Sequence, residues 1–307
     1  MRYRNAILFL ILAVVWGSAF TAIKAGLEYF PPVLFAAYRY DAAGLLILVY
    51  AAVVTDRWRP RGRQEWLLVG VGGTLMIAGY HAFLFVGEQG TTSAAAAIVV
   101  SLSPILTTGF ARAFLPEERL TALGVVGLLV GFAGVGILSN PDPNNLLETR
   151  TISLFLIFLA AASFALGSVL TRRIDADLPI ETMEGWSMVI GAVVMHAASL
   201  AIAEPIGAVE WTLEAILALG FLVVGASAVG FLIYFDLLDR LGPIEINLVS
   251  YAAPVAAALT GMAFLNETPT PNTAIGFACI LLGFFLLKRD AIRQEVDRTW
   301  ASRVEGD

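Results

Sequence analysis

Residues 104–131 read PILTTGFARAFLPEERLTALGVVGLLVG, and residues 254–283 read PVAAALTGMAFLNETPTPNTAIGFACILLG. Pro104 answers to Pro254, and Phe114-Leu115-Pro116-Glu117 answers to Phe264-Leu265-Asn266-Glu267. Thr121-Ala122-Leu123-Gly124 returns as Thr273-Ala274-Ile275-Gly276, and Gly131-Phe132 as Gly283-Phe284 after a short insertion. Upstream, Leu8-Phe9-Leu10-Ile11 pairs with Leu154-Phe155-Leu156-Ile157, while Pro32 and Gly44 pair with Pro179 and Gly191. One such match means little in a chain of narrow composition. Their common order and nearly constant offset of about 150 residues indicate an internal repeat.

Apolar residues make up 58% of the 307, a count that omits the 28 glycines, and charged residues only 14%. Soluble domains reach about 45–50% apolar with glycine included, and roughly 25% charged. No water-soluble core hides this much apolar surface, so the solvent is lipid. Runs long enough to cross a bilayer lie near 6–26, 31–54, 66–87, 91–114 and 120–138, then 152–171, 181–203, 213–235, 243–265 and 272–288. Pro31-Pro32, Pro179 and Pro243 sit at helix starts, where a missing backbone N–H costs little. The first run is read as a retained span, not a leader, because it is long and has a counterpart later.

The predicted fold is an all-α integral membrane protein of ten transmembrane helices, built as two inverted five-helix repeats. The first repeat covers 6–138 and the second 152–288. A charged segment, 289–307, follows as a cytoplasmic helix or a disordered tail. Lys and Arg set the orientation. Sixteen fall on one side, including Arg2, Arg4, Arg57 to Arg63, Arg112, Arg119, Arg172, Arg173, Arg240 and the tail. Lys24 and Arg150 fall on the other, and Arg39 lies within a span. Both termini are therefore expected in the cytoplasm, in a multi-pass protein of the cytoplasmic membrane. An odd number of spans per repeat makes the second copy enter from the opposite side, the plan of many secondary transporters.

Several classes are disfavoured. The net charge of −6 gives no reason to expect nucleic acid. The lone Cys279 excludes an intramolecular disulfide and a multi-cysteine metal site. Two histidines far apart suggest no zinc site. No His-Glu-x-x-His, P-loop or Gly-x-Ser-x-Gly motif is present, so neither an enzyme nor a cofactor is expected.

Polar residues inside spans are the candidates for function. Arg39 lies about 12 Å below the outer end of span 2 at 1.5 Å per residue. It serves either a substrate or gate, or a tether between helices. Tyr80 and His81 share its depth, His81 as a ligand group or as a satisfied interhelical histidine. Trp16, Phe20 and Lys24 form one stripe, and Trp16 is too deep for the interface, leaving lipid packing or a cavity wall. Lys24 either snorkels to the headgroups or pairs with Glu28. Trp186 is the repeat counterpart of Arg39. His196 has fewer polar neighbours. Among the acids placed in spans, Asp41 is the deepest and the choice for proton coupling, while Glu184 and Glu245 lie near cytoplasmic ends. Ser101, Ser163 and Tyr251 add hydroxyls to the expected cavity. Pro104 and Pro254 are expected to break helices. Gly127-x-x-x-Gly131 suits close helix packing, within the chain or in a homodimer.

Trp16-Gly17-Ser18 with Phe20 and Lys24, Arg39, the Pro104 helix, and Glu117…Gly124…Gly127…Gly131 repeated from Glu267 resemble ten-helix carriers of the drug/metabolite transporter superfamily, EamA type. The resemblance covers about residues 6–288. It implies a central cavity lined by spans 1–4 and 6–9, with spans 5 and 10 at the periphery, and export of amino acids or related metabolites. The expected function is a secondary transporter, an efflux carrier of a small metabolite such as an amino acid or amphiphilic compound. The alternative is a membrane sensor or scaffold that transports nothing.

Overall fold

The computed structural model describes residues 2–114, 122–140, 147–241, 246 and 248–304. Pro116, Glu117, Arg119, Thr121, Pro243 and Glu245 lie outside the described residues, as do the side chains of 290–304. Helices dominate the described residues, and no strand occurs among them. Eight helices are long and apolar enough to cross a membrane, and Val249–Leu265 and Pro271–Leu287 are shorter apolar helices.

The helices are α1 (Arg2–Gly26), α2 (Pro32–Val54), α3 (Arg63–Glu88), α4 (Ser93–Phe114) and α5 (Ala122–Ser139). Then come α6 (Thr149–Thr171), α7 (Ile180–Ala201), α8 from Leu213 to Leu241, α9 (Val249–Leu265) and α10 (Pro271–Val304). The tail thus continues α10 as helix to Val304.

Two helices are wound unusually. In α3 the segment Gly72–Gly79 is π-helical, and in α8 so is Phe221–Val229. π turns leave main-chain carbonyls without their usual partners and occur at functional sites. The chain uses both. The Trp16 indole N–H on α1 donates to the Ala226 carbonyl at 3.1 Å. The Ser163 hydroxyl on α6 donates to the Leu75 carbonyl at 2.7 Å.

Proline acts differently in its two expected positions. Before Pro104 the helix breaks at Ser101–Leu102 and restarts at Ser103, so Pro104 occupies the first turn, where no N–H is needed. Pro254 does not break its helix. It sits inside the continuous Val249–Leu265, preceded by a turn at Leu248.

Packing between helices rests on small residues. A Cβ on Gly134 would fall 2.7 Å from the Gly276 carbonyl, and one on Gly276 would fall 2.8 Å from the Gly134 carbonyl. Gly127 and Gly283 face each other in the same way. These two levels make α5 and α10 antiparallel and backbone-close, so the Gly127 face is used within the chain. α2 and α7 also run antiparallel, with Gly44 against Met188 and Gly185 against Leu48.

The two ends of the bundle are laced by different chemistry. At the end carrying the Arg57 linker, Arg57 pairs with Glu65 and with Asp177, and the Thr182 hydroxyl donates to the Arg57 carbonyl. At the opposite end, carboxylates cap helices of distant sequence. Glu204 accepts from the Val33 and Leu34 amides at the start of α2, both at 2.9 Å. Glu267 accepts from the Ser93 amide at the start of α4, at 3.0 and 3.1 Å. An anion at a helix N-terminus satisfies orphan amides and meets the positive end of the helix dipole.

A cavity inside the helix bundle

A cavity of about 270 Å³ lies inside the bundle. α1, α2, α3, α4, α6, α7, α8 and α9 all contribute walls to it, and among the described residues α5 and α10 contribute none. Trp16, Phe20, Tyr40, Tyr80, Phe164, Phe231 and Tyr234 make it strongly aromatic, and Arg39 and Glu184 give it one basic and one acidic group.

Arg39 is 6% exposed. Its Nε and Nη2 both donate to the Ser227 hydroxyl on α8, each at 3.3 Å. The guanidinium carbon lies 5.0 Å from the centre of the Tyr40 ring, within cation–π range. One hydroxyl cannot use five guanidinium donors, and the side chain lines open volume. Arg39 can thus take a further acceptor.

His81 is buried beside it. Its Nδ1–H donates to the Ile77 carbonyl at 2.8 Å, which leaves Nε2 of the neutral ring to accept from the Tyr40 hydroxyl at 2.6 Å. Tyr80 stacks edge-on against the same imidazole, with ring centres 4.4 Å apart.

The cavity wall gathers Trp16, Arg39, Tyr80 and His81 of the residues singled out in the sequence. The other expected wall residues lie elsewhere, each for a polar or packing reason. Trp186 holds the arginine-rich linker, its indole N–H on the Trp58 carbonyl at 2.9 Å and its ring 5.3 Å from that of Trp66. Ser101 caps its own helix end on the Ile98 carbonyl. Ser163 serves the π segment of α3. Tyr251 stacks on Phe284 at 4.4 Å.

Asp41 also sits outside the wall, half-exposed on the seam between α2 and α7. His196 Nε2 lies 2.7 Å from its carboxylate, so this histidine does have a polar partner. Lys24 finds partners at the end of α3. Its ammonium donates to the main-chain carbonyls of Glu88 and Gln89, at 2.9 and 2.8 Å.

Sequence reasoning missed Glu184 and Ser227 as site residues. Glu184 lies one turn from Ser187, and both line the cavity. That i, i+3 spacing was the available signal.

A family model, the EamA-like transporter family, matches the chain twice, at residues 4–140 and 151–289. The "Uncharacterized inner membrane transporter YedA" of Escherichia coli K12 is 32% identical over 259 residues, covering 84% of this chain and 81% of the relative. The "Uncharacterized transporter YvbV" of Bacillus subtilis 168 is 26% identical over 292 residues, covering 95% and 94%. A solved crystal structure superposes with a TM-score of 0.63 at 25% identity, covering 94% of this chain and 98% of that one. With its apolar helices, the chain is a multi-pass membrane protein, and it belongs to the EamA-like transporter family.

Proposed function

We propose that this protein is a secondary transporter that exports a small metabolite across the cytoplasmic membrane by alternating access. The observation that carries the reading is the aromatic cavity within the bundle, holding both Arg39 and Glu184. A guanidinium binds a carboxylate through its planar fork of donors, and a carboxylate binds an ammonium. The pair therefore favours a zwitterionic or amphiphilic solute, such as an amino acid. Its aromatic faces, its basic and acidic groups and the Tyr40 hydroxyl are groups suited to holding a solute.

The ten-helix, inverted-repeat plan fits the same reading. The two halves would be 6–138 and 152–288, followed by the charged tail. The two family matches, the two π segments and the antiparallel pairing of α5 with α10 support it. Two similar halves in opposite orientations give two conformations of similar energy, each opening the central site to one side.

Uptake of a panel of amino acids and small amphiphiles into inside-out vesicles tests the function. Energy-dependent accumulation of one solute class, lost in Arg39→Ala, supports it. A panel with no accumulation favours the sensor or scaffold reading. Asp41 is proposed to carry the coupling proton. Asp41→Asn should then abolish gradient-driven accumulation and leave exchange intact, and unchanged accumulation removes Asp41 from that role.

A further inference from the structure

At the capped end of the bundle, away from the Arg57 linker, lies a second acid that the cavity does not use. Glu88 closes α3 and is fully buried, with 0% exposure. Neither of its carboxyl oxygens has a hydrogen-bond partner. It sits one turn beyond Leu84, which lines the cavity. The neighbouring backbone leaves little room for rearrangement: a Cβ on Gly87 would fall 2.7 Å from Ile157 of α6.

The charged groups around Glu88 come from several elements. α1 brings Lys24, whose ammonium is spent on the carbonyls of Glu88 and Gln89 and not on the carboxyl. The segment after α9 brings Glu267, spent on Ser93. Both act on Glu88 through space. α6 begins with Arg150, held by the Leu138 carbonyl, and Glu148 precedes it, bonded by Thr151. α2 meets α3 through Phe35 on Phe85, and through Arg39 and Tyr40 at the level of His81. On α3 itself, Tyr80 and His81 lie two turns back. α4 begins with the neutral run Ser93–Val100.

From this geometry we infer that Glu88 is a proton-binding site coupled to closure of the capped end, the carboxyl binding one proton as that end closes and releasing it as the end opens. A carboxylate removed from water without a donor is far costlier than a carboxylic acid in the same place. Opening the end would part Glu267 from Ser93 and admit water. There the carboxylate can be hydrated, or paired with Lys24 once its carbonyl ties part. Because the closed arrangement holds the proton more tightly, acid favours closure and alkali favours opening. A single linked proton changes the open-to-closed ratio by at most about tenfold per pH unit in the titrating window. The site deepens the transporter reading by naming the proton as a ligand of its conformational change. Its test needs no substrate, so it stands or falls separately from that reading.

Spin labels at Thr91→Cys and Thr268→Cys, in a Cys279→Ser background, span the Glu267–Ser93 contact. Distances are measured between them in lipid nanodiscs across pH at fixed sodium. The expected result is a short distance in acid that gives way to a longer one in alkali. Glu88→Gln, which carries a permanent stand-in for the proton, should stay short at every pH, and Glu88→Asp should keep a pH response. A Glu88→Gln protein that follows the wild-type pH profile overturns the proposal. So does a wild-type distance that ignores pH, or one that responds to sodium at fixed pH. If Glu88→Gln does not insert, a pH-insensitive Glu88→Asp protein overturns it equally.

Discussion

Arg39 on α2 and Ser227 on α8 meet inside the bundle, with Nε and Nη2 of the guanidinium each 3.3 Å from the serine hydroxyl. The contact joins α2 to a π-helical segment and leaves further donors facing the cavity. An arginine inside the membrane is costly and is kept for a partner or a ligand.

Arg39→Ala and Arg39→Lys should both fold and insert, and both should lose most transport. Lysine keeps the charge and loses the fork. Losing a hydrogen bond to a charged group costs about 1.5–3 kcal/mol, roughly ten- to hundredfold in affinity. Melting temperature and substrate affinity are measured on the same purified variants. A destabilised Arg39→Ala protein with normal affinity would show that Arg39 only ties α2 to α8.

The ties to the π segments make a second prediction. Trp16→Phe leaves the Ala226 carbonyl without its donor, and Ser163→Ala does the same to Leu75. Each buried group left unpaired costs about 1–3 kcal/mol. Both variants should therefore melt at lower temperature, and Trp16→Phe should also weaken substrate binding because the indole lines the cavity. Unaltered melting in both would mean that the carbonyls find other donors.

How much of this was legible in the sequence depends on the kind of signal. Arg39 announced itself as a charge inside an apolar run, and its burial follows from lipid physics. The stripe Trp16-Phe20 pointed to one helix face, and that face does line the cavity. Glu184 looked like a solvated span end and Glu88 was not singled out, because a sequence does not show which helix end its neighbours cover. Trp186 was misplaced because repeat alignment transfers position along a helix but not the acceptor its indole finds at Trp58. The π segments carry no marker in Gly72–Gly79 or Phe221–Val229, since an extra residue per turn is settled by packing on α1 and α6. Pro254 resembled Pro104 in the repeat, yet the turn falls earlier, at Leu248.

Orientation can be read directly by labelling. A side chain at Gly62 or Gly207 meets nothing within 4 Å. Single cysteines there, in a Cys279→Ser background, should respond oppositely to an impermeant maleimide applied to intact cells. Position 207 should label, and 62 should stay protected until the membrane is opened. Labelling at 62 with protection at 207 would reverse the orientation drawn from the arginine count.

The central claim is that the cavity around Arg39 binds one solute at a time and carries it across. Counterflow in proteoliposomes tests this most directly. Vesicles are loaded with an unlabelled solute from the panel, and entry of the labelled solute is followed. The account expects a transient overshoot of label that saturates with concentration and disappears in Arg39→Ala. Flux that rises linearly with concentration, shows no overshoot and ignores the Arg39→Ala substitution would contradict it.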